Sequence, residues 1–374
     1  MSLTATLTPS SRVLIGNPLR LGIASDGTCR YTVSVDGSEV YSGSGHGTFH
    51  VFLQDIIAPY LTPQLCYNSD TRLLIPLSTC CKSCSVTVTS GSDTRTISFT
   101  AYPGGVSRTV LRSLGSGNIF TERFLKSTGN IFFSLRGTDS LLLIRETEIT
   151  PLLFVYPPSG TLSIRCNGET VSIPGTAYDM YALNLEAVRR SFYEDHDFIG
   201  SFFELLLNGS LVISIGITQS SLSKDRYLLR FLNSLGAYDL LECTGSARRG
   251  SDYGDDSSYE EYDDTVDGYV RCRDRRKSRQ SLSVSTGLTD EDRLIFIEDL
   301  LASEDVTLLG YHGRDIRVIP SVEDLSVLHN AFRPQSLTIS LTMADEDDRF
   351  STDDIDSMLG DGRIHTSEFT EQFN

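Results

Sequence analysis

The sequence predicts an all-β, mainly antiparallel fold, in which an immunoglobulin-like (Ig-like) β-sandwich precedes a larger β-sandwich-like domain that carries one helix. Short apolar or alternating segments recur about every 8 to 12 residues, which is the spacing of strands in such sandwiches. Asp36-Gly37, Asn167-Gly168, Asn208-Gly209 and His312-Gly313 each lie between two of these segments. Such dipeptides form two-residue hairpin turns, because both turn positions require a positive φ. Short turns join antiparallel strands, since parallel strands need long crossovers.

The domain organisation follows from the length of 374 residues, which exceeds the usual size of one domain. We predict an N-terminal arm (1–12), an Ig-like β-sandwich (13–105), a Gly- and Ser-rich connector (106–123), a second β domain (124–343) and an acidic C-terminal tail (344–374).

One long helix is predicted from Thr289 to Ser303. Three carboxylates follow Thr289, where the helix dipole favours negative charge, and an apolar face follows them. A shorter helical turn is predicted over 54–60, ahead of Pro63. These two helical segments interrupt a sequence pattern that otherwise predicts strands.

The densest apolar run is Arg226 to Gly245, RYLLRFLNSLGAYDLLECTG. We predict that it is the central hairpin of the second domain and that its second strand, 238–243, pairs with 280–285. Residues 247–278 would then be an elongated, mobile loop between paired strands, because their composition cannot bury a core. The residues expected in the core of the hairpin are Tyr227, Phe231, Leu240 and Leu241.

The charge is negative and segregated. The net charge is −17, from 49 acidic and 32 basic residues, so phosphate backbones are repelled and no nucleic-acid binding is expected. Residues 252–267 hold eight carboxylates and no Lys or Arg, whereas 271–279 hold six basic residues and one Asp. The basic run is expected to pair with the acidic run, within one chain or with a neighbouring copy.

The loop 247–278 is the candidate partner-contact element. Tyrosines interleaved with carboxylates give large amphipathic contact surfaces at a low cost in side-chain entropy, and loops on rigid β scaffolds are common binding elements. Two alternative interpretations remain: the segment is a solvated, self-repelling loop, or Asp263, Asp267 and Asp274 gather a hard cation. The candidate contact residues are Tyr253, Tyr259, Tyr262, Tyr269, Arg273 and Arg276.

No metal or cofactor is expected. Cys66, Cys80, Cys81 and Cys84 are too loosely spaced for zinc and are interpreted as structural or free thiols. His46 and His50 lie about 13 Å apart along a strand, too far to share an ion. The segment 361–369, DGRIHTSEF, matches only the second half of an EF-hand loop, and a solvated tail is the better interpretation.

The sequence does not predict an enzyme or a membrane protein. It contains no P-loop, no Gly-x-Ser-x-Gly and no His-Glu-x-x-His motif. No run approaches the roughly 18 apolar residues of a spanning helix, and the N-terminus lacks a signal peptide, so synthesis in the cytoplasm is expected.

Several segments resemble modular virion proteins from phages and prophages of Bacteroides-type gut bacteria. IGNPL (15–19), VDGSEVYSG and FHVFLQDIIAPYL are similar to their opening module. GNIFTERFL, RYLLRFLNSLGAYDLLECTG, TDEDRLIFIEDLLASEDV and GRDIRVIPSVED are similar to their second part, in matching order. The resemblance covers most of residues 13–343, without the acidic insertion and the tail. It implies a place in a virion or its tail, and it brings no catalytic residues.

The expected function is that of a non-enzymatic structural component of a phage or prophage virion, associated with the tail or tail tip. The protein would self-assemble as a homo-oligomer and dock to other virion proteins. One alternative is an adhesin or binding module for a host-surface glycan or protein. A second is a glycan hydrolase, since the paired carboxylates of glycosidases are dispersed in sequence.

Overall fold

The structure, a computed structural model, describes residues 3–115, 117–220, 223, 226–253, 258–273, 278–289, 293–322 and 335–344. These residues form two compact units. Unit 1 consists of Met1–Thr218 and Asn233–Asp239, and unit 2 of Gln219–Leu232 and Leu240–Asn374, each as far as it is described. The five-part division expected from the sequence stays a prediction.

Unit 1 contains fourteen strands and three of the described α-helices. The strands are β1 (Thr4–Thr8), β2 (Arg12–Leu14), β3 (Arg20–Val35), β4 (Ser38–Phe52), β5 (Leu74–Pro76), β6 (Lys82–Ser90), β7 (Asp93–Tyr102), β8 (Leu141–Arg145), β9 (Leu152–Val155), β10 (Leu162–Cys166), β11 (Glu169–Ile173), β12 (Met180–Leu183), β13 (Phe202–Leu207) and β14 (Ser210–Thr218). The helices are α1 (Gln54–Ile57), α2 (Arg108–Leu114) and α3 (Leu185–His196).

The first sheet has the order β1-β3-β6-β7-β2, and β4 also pairs with β3. The N-terminal part of β3 pairs with β1 and its C-terminal part with β6, so one long strand serves both. Alternate residues along these strands are buried, among them Leu21, Val33 and Val86, and they build one core. The predicted helical turn at 54–60 is confirmed, as α1 followed by a 3₁₀ turn.

Two further sheets follow in unit 1. One has the order β11-β10-β13-β14-β8 and the other the order β5-β12-β9. Helix α3 packs against the larger sheet through Val188 and Phe192. Its first turn is capped by Asn184, whose side-chain oxygen accepts a hydrogen bond from the Ala187 N–H at 3.2 Å. The sequence interpretation missed this helix, because it continued the strand pattern through residues 130–218.

The region expected to be a connector, 106–123, contains α2 and the start of a π-helical turn, Phe120–Phe124. Both phenylalanines of this turn are buried, and the Phe124 and Phe133 rings stack with centroids 4.1 Å apart. The segment Asn233–Asp239 packs into the same apolar cluster through Leu235, which is fully buried. Aromatic packing therefore organises this part of unit 1.

Unit 2 contains helix α4 (Leu294–Ala302) and the remaining described strands, except for the first two residues of β16, which belong to unit 1. The strands are β15 (Tyr227–Leu232), β16 (Tyr238–Cys243), β17 (Ala247–Tyr253), β18 (Ser258–Asp263), β19 (Gly268–Arg273), β20 (Ser278–Thr289), β21 (Val306–Tyr311), β22 (Arg314–Ser321) and β23 (Gln335–Met343). Seven of them form a sheet of order β16-β15-β21-β22-β23-β20-β17, and β18 pairs with β19.

Most neighbouring strands are antiparallel, with β2–β7 and β8–β14 as parallel exceptions. The predicted all-β, mainly antiparallel fold is therefore confirmed. All four predicted hairpin turns are confirmed as well, because both residues of each have positive φ, for example 48° and 82° at Asp36 and Gly37. The predicted helix is present as α4, with Ile297 and Leu300 buried, but its predicted start is wrong, because Thr289 ends β20. Its expected capping residues 290–292 lie outside the described residues.

One strand pairing expected from the sequence is wrong. Residues 280–285 pair with β17 and with β23, and not with 238–243. The apolar pattern of a strand predicts which of its faces is buried. It does not predict which strand lies beside it, and this explains the error. In the hairpin β15–β16, Phe231 and Leu241 are buried as expected, whereas Tyr227 and Leu240 are half-buried.

Candidate functional site

The segment 247–278, expected as an irregular loop, is built largely from strands. β17 pairs with β20 from Ala247↔Val284 to Tyr253↔Ser278, and β18 pairs with β19 from Ser258↔Arg273 to Asp263↔Gly268. The two pairings share one register, with four residues between them on each side. The expectation of a loop was wrong because cross-strand pairs can hold a two-stranded ribbon that has no buried core of its own.

The segregation of charge along the sequence places opposite charges on facing strands. Glu260 on β18 lies opposite Arg271 on β19. The Arg271 Nε–H donates a hydrogen bond to the Ser258 hydroxyl at 2.9 Å, diagonally across the same pair of strands. Facing opposite charges favour a strand pair. Where they are described, residues of the basic run thus lie opposite residues of the acidic run within one chain.

Two of the predicted tyrosines form a cross-strand pair on the hairpin β18–β19. Tyr262 and Tyr269 are direct partners, and their rings meet edge to face with centroids 5.5 Å apart. The Tyr262 hydroxyl donates a hydrogen bond to the Asp267 carboxylate, and this bond raises the pKa of Tyr262. The side chains nevertheless stay 48 % and 75 % exposed. The hairpin therefore presents an ordered aromatic pair to solvent.

The other face of the hairpin carries Tyr259, opposite Cys272. Tyr259 is exposed, and so is Val266 in the turn. The Cys272 thiol donates to Glu261 at 3.8 Å, and desolvation together with this carboxylate raises the thiol pKa. The exposed aromatic and apolar groups thus lie on both faces and at the tip.

The structure brings three of the six candidate residues together on this hairpin, Tyr259, Tyr262 and Tyr269. Arg273 is on β19 opposite Ser258, and Tyr253 ends β17, with only its backbone described. Arg276 lies outside the described residues. The sequence interpretation gave Asp267 only as a possible cation ligand and Arg271 only as part of the basic run, although the turn signal Asp267-Gly268 would have located the hairpin.

The turn of the hairpin is held by Asp263, and this leads to an expected pH dependence. Its carboxylate accepts hydrogen bonds from the Thr265 hydroxyl at 2.5 Å and the Thr265 N–H at 2.8 Å, which lower the pKa of Asp263. A lowered pKa means that these bonds stabilise the turn above the unfolded carboxyl value of about 3.9 and are lost as the pH falls through the folded-state pKa.

In an NMR titration, the Thr265 backbone amide should therefore shift with a midpoint below about 3.9. In Thr265→Ala, which removes the hydroxyl donor, the midpoint should move up towards that value. A midpoint at or above about 3.9 in the unchanged protein would contradict the hydrogen bonding of the turn.

The described histidines and clustered cysteines do not form a metal-binding group. Within the described ranges, no three His, Cys, Asp or Glu side chains lie close enough together to hold a metal ion. His46 and His50 both lie on β4. The four clustered cysteines are free thiols, and burial raises the pKa of Cys66 to about 11 and that of Cys84 to about 12. Thiols of such high pKa are poor nucleophiles at neutral pH. The segment 361–369 lies outside the described residues.

A surface groove of about 780 Å³ in unit 1 has Glu122, Arg123, Lys126 and Asp139 in its wall. The Arg123 guanidinium donates to the Ser134 carbonyl at 2.7 Å, so it serves the fold. In the described part of the chain, the helices are too short or too polar to cross a membrane.

The comparisons with known proteins show only weak likeness. No protein-family model and no curated protein matches the sequence. Among solved structures, a 1.5-MDa bacterial ice-binding adhesin aligns with 78 % of this chain and 94 % of its own, at 12 % identity and a TM-score of 0.16. Invasin, a bacterial integrin-binding protein, aligns with 75 % of this chain and 57 % of its own, at 8 % identity and a TM-score of 0.20.

A chimeric titin Z1Z2 tandem aligns with 58 % of this chain and 100 % of its own, at 10 % identity and a TM-score of 0.16. At such TM-scores the superpositions carry no argument about function. The functional assignment therefore has to come from the chain's own residues.

Proposed function

We propose that the protein is a non-enzymatic structural component of a phage or prophage virion, associated with the tail or tail tip, which docks to other particle proteins through the hairpin β18–β19. The observation that carries the proposal is the exposed, ordered pair of Tyr262 and Tyr269. The resemblance of residues 13–343 to modular virion proteins supports the location in a particle.

The geometry of the pair suits protein contact for energetic reasons. Tyrosine offers a large apolar surface with a polar tip, and tyrosines are enriched among the residues that dominate interface energies. The two rings pack edge to face, and the Asp267 carboxylate accepts a hydrogen bond from the Tyr262 hydroxyl. Because the side chains are ordered before binding, little conformational entropy remains to be lost on binding.

The charged groups of the hairpin add selectivity. Residues 258–273 contain five carboxylates and two arginines. Charges around an aromatic centre raise the association rate with an oppositely charged partner and disfavour others. The proposed contact surface on the partner is therefore apolar at its centre and basic at its rim.

The second candidate function is an adhesin or binding module for a host-surface glycan or protein. It is favoured by the exposed Tyr259 and Val266, because they extend the aromatic surface around the tip of the hairpin. An exposed hairpin tip can enter a concave receptor surface, as long binding loops do. The hydrolase alternative is not proposed, because no site in the described residues supports it.

A double substitution tests the docking surface. Tyr262→Ala with Tyr269→Ala should weaken co-sedimentation of the purified protein with particles of its source strain by at least about 30-fold, the effect of losing one interface hot spot. The matched control is Tyr193→Ala, which removes a tyrosine of similar exposure from α3.

Equal binding of the hairpin variant and the control would contradict docking through the hairpin. If the hairpin variant keeps particle binding but loses binding to host cells or to a glycan array, the adhesin function replaces the structural one.

A further inference from the structure

Strand β4 is an edge strand of unusual length. It runs for 15 residues, Ser38–Phe52, and pairs along one side with β3. Among the described strands, none pairs with its other side. Every residue of β4 is at least partly exposed. At a rise of about 3.4 Å per residue, this leaves a row of backbone N–H and C=O groups about 50 Å long.

β4 lacks several of the features by which edge strands usually avoid pairing with another chain, although its pairing with β3 is irregular on either side of the stretch Tyr41–His46. Natural edges are short, or carry Lys or Pro. β4 contains neither residue, and from Val40 to Phe52 it contains no Asp, Glu or Arg either. The whole chain has a net charge of −17, but the stretch from Val40 to Phe52 carries no carboxylate, ammonium or guanidinium group. Two copies of this acidic chain can therefore approach along β4 without strong repulsion.

The side chains of β4 leave its outer backbone edge accessible to another strand. On the face towards the core, Gly43 and Gly45 make room for aromatic rings: a Cβ at Gly43 would lie 2.4 Å from the Tyr31 hydroxyl oxygen, and one at Gly45 would lie 2.5 Å from the Phe49 ring. From Ser42 to His50 the opposite face carries small polar or imidazole groups, including Ser44 and Thr48, which are exposed. From Tyr41 to His46 the pairing with β3 runs without a bulge.

We infer that β4 pairs antiparallel with β4 of a second copy of this chain, related by a two-fold axis. The free edge of a strand can pair antiparallel with an identical edge, because both offer outward N–H and C=O groups in the same alternating pattern. A two-fold contact needs such a self-complementary surface. A pairing centred on Gly45, the middle of β4, sets Ser44 of one copy opposite His46 of the other, within the regular stretch of the strand. The inference does not depend on the proposed function.

The test is the dissociation constant of the dimer, measured by sedimentation equilibrium on the full chain. Ser44→Lys with Thr48→Lys places four ammonium groups on the joint face of the two β4 strands, where the two introduced at position 44 lie diagonally across the two-fold axis and repel each other. The dissociation constant should rise by at least about tenfold. Because both positions are exposed, the far-ultraviolet circular dichroism spectrum should not change.

The matched control is Thr170→Lys with Ser172→Lys on β11, the edge strand of another sheet of unit 1. Both positions are exposed, and the change in net charge is the same. The control should keep the dimer. A monomeric unchanged protein at about 100 μM, or an equal effect of the two double variants, would overturn the inference.

Hydrogen exchange gives an independent readout that needs no variant. The outward amides of β4 should be protected at high protein concentration and exposed at low concentration, since only the dimer covers them. Protection that does not depend on concentration would overturn the inference and show that another segment of the same chain covers β4.

Discussion

Replacing Arg136 by methionine is expected to lower the free energy of unfolding by about 3–5 kcal/mol, the largest effect expected for any ion pair among the described residues. Arg136 and Glu148 form an ion pair within unit 1 and are only 4 % and 1 % exposed. The variant leaves the Glu148 carboxylate buried without the guanidinium of Arg136. A buried charge that loses its counter-charge keeps the full cost of desolvation.

The double variant Arg136→Met with Glu148→Leu should recover most of this loss, because it removes both buried charges and fills the space with apolar atoms. Arg165→Met is the control for a solvent-exposed pair, since Arg165 and Glu204 form an ion pair that is open to water. It should cost no more than about 1 kcal/mol.

The measurement is urea unfolding followed by far-ultraviolet circular dichroism, because the chain contains no Trp to report by fluorescence. A loss below about 1 kcal/mol in the single variant would contradict the burial of the pair, as would a double variant no more stable than the single one.

Replacing Gly104 by alanine is expected to cost several kcal/mol or to prevent folding of unit 1. Gly104 has a φ of 77°, and a Cβ there would lie 2.1 Å from the carbonyl carbon of Leu235. The obstacle is backbone, which has no side-chain rotamer to change. The Gly105 N–H also donates to the Ser234 carbonyl at 2.7 Å, so the two segments are held together at this point.

The substitution Gly37→Ala is the control, because it introduces the same kind of backbone strain without a steric clash. Gly37 has a similar φ of 82° but no atom within 4 Å of the added Cβ. It should therefore cost only about 1–2 kcal/mol, the penalty of the left-handed conformation. Equal costs of the two substitutions, in the same unfolding experiment, would contradict the close approach of Gly104 to Leu235.

The parts of the fold that follow from local chemistry could be predicted from the sequence. A two-residue turn needs two residues that tolerate a positive φ. Asn167-Gly168 and Asn208-Gly209 are such pairs, and both form the turn as expected. The apolar face of α4 is equally local, because it depends on spacing within one helix. These signals involve neighbours in sequence and no distant segment.

The pairing of distant strands could not be predicted in the same way. Residues 280–285 have the same alternation whichever strand lies beside them, so the choice between β16 and β17 was open. Helix α3 was missed because its short apolar face is interrupted by charged residues such as Arg189 and Arg190. Arg189 pairs with Glu186 three residues before it, and also with Glu146, a distant partner that appears only in three dimensions.

The candidate site was predictable in composition but not in geometry. The interleaved tyrosines and carboxylates indicated a contact element, yet the same polarity led to the expectation of a loop. The register of β18 with β19 decides that Tyr262 and Tyr269 share a face and that Tyr259 lies on the other. A register shift of one residue would have reversed these faces.

Photo-crosslinking from the hairpin tests the central claim, that this hairpin is the surface that contacts other particle proteins, most directly. The photoreactive residue p-benzoylphenylalanine would replace Tyr269 in one protein and Tyr193 in a control, and each would be irradiated with particles of the source strain. We expect a covalent adduct between position 269 and one particle protein, identified by mass spectrometry, and none from position 193. An adduct from position 193 with none from position 269 would contradict the claim.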